Sequence, residues 1–133
     1  MKLILAAILA AHALIHASYL TPVPPQTAGG PEWPFDLARS WLVTGANLEP
    51  SLVRPLGIAL VAATVVLLIA AAMSTAAWIV PSSWWPALTV AGAASSLLTL
   101  TLFFHPWLLF GFVIDAVLVW AVVTGWRPLS LGT

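Results

Sequence analysis

Apolar residues fill four long stretches of this chain, and the few polar positions collect between them. The most continuous stretch runs from Trp84 to Trp126, where the ionisable side chains are His105, beside Pro106 near the centre, and Asp115 in the second half. A bilayer core of about 30 Å is crossed by about 20 apolar residues in a helix. The run is therefore two spans turning back at His105-Pro106, about 87–104 and 107–126, with Arg127-Pro128 ending the second. Lipid admits only segments that satisfy their own backbone hydrogen bonds, so both are expected to be helices.

The same pattern gives two more spans. Residues 3–20 (LILAAILAAHALIHASYL) follow Met1-Lys2 and end on an aromatic anchor, Tyr19. The basic start and the small residues at Ala17-Ser18 also fit a cleaved leader, but 18 residues just cross a bilayer and we read a retained span. Residues 56–77 form the other, uncharged and nearly without polar atoms, which suggests a face toward lipid or a partner. In the third span the small residues fall in rows, Ala91, Ser95, Thr99 and Gly92, Ser96, so that span is expected at the centre of the packing.

Polar residues concentrate in 21–54. This connection opens with TPVPPQTAGGP, too rich in breakers for a helix. In EWPFDLARSWLV, Trp33, Leu37 and Trp41 recur every four residues while Asp36, Arg39 and Ser40 face elsewhere, the pattern of a short helix lying in the membrane interface. The length of the connection suits a loop packed on the helices or a functional lid. Trp78, Trp84 and Trp85 form an aromatic belt at the opposite face. The fold class expected is all-α: one integral membrane four-helix bundle over 1–133, with a long loop carrying a short interfacial helix between the first and second spans.

Composition narrows the function classes. At 62% hydrophobic and 6% charged the chain is far from a soluble domain, which carries about 25% charged residues. Lys2, Arg39, Arg54 and Arg127 are scattered singly, so nothing tracks a nucleic-acid backbone. With no cysteine, thiol redox chemistry and iron–sulfur clusters are excluded. The basic residues divide two against two between the ends and the long loop, and we expect both termini to be cytoplasmic, in a bacterial inner membrane.

Ionisable groups inside a membrane are costly and point to function by default. His12 and Asp115 each lie near the middle of a span and should meet at the midplane, while His16 lies one turn beyond His12 on the same face. His105, about 15 Å from Asp115 along the axis by helical rise, is a secondary candidate at the interface. Three readings follow. His12 and Asp115 can pair as interhelical glue. His12, His16 and Asp115 form a two-histidine, one-carboxylate set suited to Zn or Fe. One histidine can ligate a haem or a chlorophyll-type pigment, although His12 and His16 project from one face and cannot grip a macrocycle from both sides. A His12–Asp115 proton relay is a further use of the pair. Ser18, Ser95 and Ser96 lack a nucleophile elbow, so no catalytic set is expected.

These observations favour a small non-catalytic membrane subunit or accessory protein, held in the lipid bilayer against protein partners or further copies of itself. The alternative is a metal- or cofactor-binding protein, or a small ion or solute transporter, built on His12, His16 and Asp115.

Overall fold

A computed structural model describes residues 2–125 of the chain. The described residues form helices and connections with no strand. α1 spans Lys2–Ala17 and runs on through a 3-10 turn, Ser18–Leu20. α2 is a single short helix, Trp41–Thr44; α3 spans Pro50–Thr75; α4 spans Trp85–Leu102; and α5 spans Leu109–Val123. Short 3-10 turns, Ser82–Trp84 and Pro106–Leu108, lead into α4 and α5. With those turns included, Lys2–Leu20, Pro50–Thr75, Ser82–Leu102 and Pro106–Val123 are long and apolar enough to cross a membrane. The expected end of the last span, at Trp126 and Arg127-Pro128, lies outside the described residues.

The helices pack in the order α1, α3, α4, α5. α3 lies between α1 and α4 and buries nine residues, from Val53 to Thr75, while Leu56, Ile58 and Val66 on the same helix stay exposed. Small side chains explain this. A Cβ added at Gly92 of α4 would come within 2.7 Å of Leu68 Cδ2, so the missing side chain is the space that Leu68 of α3 fills. Polar atoms on α3 are also paired. Thr64 Oγ1, Ser95 Oγ and the Leu60 carbonyl form a hydrogen-bonded triangle with sides of 2.8, 2.9 and 3.2 Å. Ser74 donates to the Pro81 carbonyl at 2.6 Å. In hydrocarbon such groups have no water to fall back on, so they turn inward. α4 supplies the small-residue row as expected and packs against both α3 and α5.

α3 begins at Pro50, six residues before the expected boundary, because Pro50 occupies the first turn where a missing N–H costs nothing. The Leu52 and Val53 N–H groups close that turn on the Glu49 carbonyl. The expected helix over 32–43 is shortened to α2. Residues 33–40 are largely irregular instead, with a bend at Pro34 and a turn at Leu37-Ala38; Asp36 Oδ1 accepts the Ala38 N–H at 2.8 Å, and Ser40 Oγ accepts the Leu42 N–H at the start of α2. These side-chain bonds compete with helix and win before α2. Consequently Leu37 is buried, Trp33 is partly buried and Trp41 is exposed, so the three do not share one lipid-facing stripe.

The connection is fastened to the turn between α4 and α5. Ser40 Oγ donates to the Leu102 carbonyl at 2.7 Å and Trp41 Nε1 to the Thr101 carbonyl at 2.8 Å. Leu37 joins an apolar cluster with Tyr19, Val53, Val61, Leu100, Phe103 and Leu108 at that end of the molecule. A second cluster, built on Leu5, Leu9, Leu68, Ala71 and Leu118, closes the other end. Between the two lies a polar layer.

Candidate functional site

Helical periodicity sets His12 and His16 one turn apart on the inner face of α1, their rings edge to face with centroids 5.0 Å apart. α5 brings Asp115 to the same level, with Gly111 one turn earlier leaving room for Leu100. α4 contributes Ser96, one turn after Gly92 on its buried face. His12 is 2% exposed, His16 1%, and Ser96 and Asp115 0%, so water is shut out of the whole group.

Four side chains form one continuous network. His12 Nε2 lies 2.9 Å from Asp115 Oδ1. Ser96 Oγ donates to Asp115 Oδ2 at 2.5 Å and lies 2.7 Å from His16 Nε2. Its 3.4 Å separation from His12 Nε2 is a weaker contact. A hydroxyl carries one proton, and its shortest contact is to the carboxylate. Ser96 must then accept from His16, which places a proton on His16 Nε2. His12 Nε2–H supplies the remaining carboxylate oxygen. On this assignment Asp115 accepts from two elements, α1 and α4, and Ser96 links the carboxylate back to α1. The network joins three helices at one depth.

The pairing of His12 with Asp115 and the place of His16 beside them follow the expected register. Ser96 is the member that sequence reasoning treated only as a packing residue. The signal lay in its row: Thr89, Gly92, Ser96 and Thr99 are all buried on one face of α4. A hydroxyl on a small-residue face that meets two histidines and a carboxylate is more than a spacer. Which helix that face meets is not written in the sequence of α4.

Among the described residues, no group of three or more His, Cys, Asp or Glu side chains is placed to hold a metal ion. His16 Nε2 faces Ser96 rather than a point shared with His12 and Asp115, which is why the Zn or Fe set does not assemble. The Nε2 atoms of His12 and His16 both face protein partners, which leaves their Nδ1 atoms as the positions open to a further ligand. His105 stands apart at the turn before α5, where its Nδ1 accepts the Trp107 N–H at 3.2 Å and caps the 3-10 turn.

Two nitrogens in the centre are left over. Nδ1 of His12 and Nδ1 of His16 are buried without a hydrogen-bond partner among the described residues. A cavity of about 140 Å³ touches both rings and is also lined by Tyr19, Phe35, Gly111 and Ile114. Comparison with protein-family models, with curated proteins and with solved structures finds no match to the chain.

Proposed function

We propose that this chain is a small non-catalytic integral membrane protein, a four-helix bundle that serves as a subunit or accessory protein of a larger membrane assembly. The observation that carries the reading is the closure of the polar centre. His12, Ser96, Asp115 and His16 spend their Nε2, hydroxyl and carboxylate groups on one another, and none is open to a dissolved substrate. Such a network works as a clamp that holds α1 on α4 and α5. The outer face of α5, with Phe110, Val113, Val117 and Trp120 exposed, supplies apolar surface for lipid, protein partners or a second copy. A bacterial inner membrane with both termini cytoplasmic is the setting we propose. Native mass spectrometry after mild extraction from the host membrane tests this: stoichiometric companions or a defined homo-oligomer support it, and a lone monomer refutes it.

A second reading, an ion-handling protein working through His12, His16 and Asp115, is favoured by the two unpartnered Nδ1 atoms. A purely structural clamp has no use for them, because each costs the free energy of an unmet hydrogen bond in hydrocarbon.

A further inference from the structure

Resting on that second reading, we propose that the His12–Asp115–Ser96–His16 centre reversibly binds one proton. It exchanges that proton with the compartment on the side of residues 21–49, and with no other, through a hydrophobic gate formed by Tyr19 and Phe35.

The proton site follows from the hydrogen-bond assignment. With both imidazoles donating from Nε2, each Nδ1 carries a bare lone pair. These are the positions where the network gains a proton without losing a bond. Hydronium delivers the proton to an Nδ1 lone pair, an N–H bond forms and water is released. The step adds one positive charge to the centre. Ser96 and Asp115 connect both rings, so the carboxylate lies one hydrogen bond from His12 and two from His16. The ionisable groups facing the centre are His12 and His16 from α1 and Asp115 from α5. α4 adds the Ser96 hydroxyl, and the only ionisable residue of α3 is Arg54, near its start. Tyr19 stacks on His16 with centroids 6.3 Å apart.

The cavity has polar neighbours on one side, whereas Ile15 and Phe110, which also line it, are exposed apolar side chains of α1 and α5. The cavity beside the two histidines shares Tyr19 and Phe35 with an outer pocket of about 440 Å³ that also contains Asp36 and Arg54. It shares Phe35, Trp107 and Leu108 with another outer pocket, of about 320 Å³, beneath Pro31–Pro34. Phe35 is the one side chain common to all three spaces, and it meets Tyr19 edge to face at 5.3 Å. Asp36 and Arg54 make the larger outer pocket a place where water is at home. The inner cavity is lined by carbon-rich side chains, so it gates by staying dry until the aromatic pair separates. Phe35 belongs to the connection rather than to a span, so its displacement breaks no helical hydrogen bond. Towards the other face, the cluster of Leu5, Leu9, Leu68 and Leu118 seals the centre.

Two measurements on the full chain in lipid vesicles test the two halves separately. The first is nitrogen NMR of ¹⁵N-histidine protein, with His105→Gln removing the signal of the third histidine. Acidification within the folded range should convert Nδ1 of His12 or His16 from a bare imine nitrogen to N–H, reversibly. An Nδ1 that stays bare throughout, or one already protonated at alkaline pH, overturns the proton site and with it the second reading. The second exploits the absence of cysteine. Ile114→Cys, inside the cavity, should react with an impermeant methanethiosulfonate from the same face that labels Ala28→Cys in the connection. Adding Phe35→Ala should speed the reaction about tenfold or more, and Tyr19→Ala gives the same comparison from the other side of the gate. Reaction from the opposite face, or no acceleration in either variant, overturns the gate whatever the NMR shows.

Discussion

Ser95→Ala and Ser96→Ala delete the same atom at adjacent positions of one helix, so their difference isolates what the polar centre contributes. Ser95 Oγ sits in a neutral triangle with Thr64 and the Leu60 carbonyl, and when it is gone Thr64 still bonds Leu60 at 2.8 Å. Interhelical hydrogen bonds in membranes average about 0.6 kcal/mol, which is the loss expected for Ser95→Ala. Ser96 Oγ holds a carboxylate at 2.5 Å and an imidazole at 2.7 Å, and its removal leaves Asp115 Oδ2 and His16 Nε2 buried without partners. Bonds to charged groups are worth about 1.5–3 kcal/mol, reduced in a membrane because the unfolded chain also finds partners. We therefore expect Ser96→Ala to cost about 1–2 kcal/mol, roughly a five- to thirtyfold shift in the unfolding equilibrium. Equilibrium unfolding by SDS titration in mixed micelles, followed by tryptophan fluorescence, measures both variants. A cycle with His16→Phe should then recover about 1 kcal/mol of coupling, since the second substitution removes a bond already lost. Equal losses for Ser95→Ala and Ser96→Ala, or zero coupling with His16, would refute the network.

Gly92→Ala should lower stability by about 1–3 kcal/mol, because its Cβ would meet Leu68 Cδ2 at 2.7 Å in the α3–α4 interface. Leu68→Ala in the Gly92→Ala background should then cost less than it does alone, measurable in the same unfolding assay. Ser40→Ala removes both the bond to the Leu102 carbonyl and the cap on α2, so protease should cleave within 21–40 several times faster while the spans stay intact. Arg39→Gln should change stability by less than about 0.5 kcal/mol, since its pairings with Glu32 and Asp36 are exposed and screened. A larger loss on unfolding would show that the connection holds the fold through charge.

Hydrophobic runs of bilayer length, with five of the eight charged residues gathered in 21–54, determined from sequence alone that the chain has four helices able to cross a membrane. The length of a span is a local property, and so is the spacing that sets His12 and His16 on one face of α1. Midspan depth likewise pointed Asp115 at His12, because antiparallel spans place their centres at one level. Packing order was beyond reach. Apolar residues of α3 look the same whether they face lipid or protein, and only the packed structure shows that Val53, Val61 and Leu68 turn inward while Leu56, Ile58 and Val66 do not. Ser96 joined the centre for the same reason: a small polar residue becomes a partner only when another helix presents a carboxylate 2.5 Å away. In the connection, the four-residue spacing of Trp33, Leu37 and Trp41 read as a helix until Asp36 and Ser40 bonded the backbone locally and Leu37 turned inward. Periodicity records what one segment can do; contacts distant in sequence decide which of those options lowers the free energy of the whole.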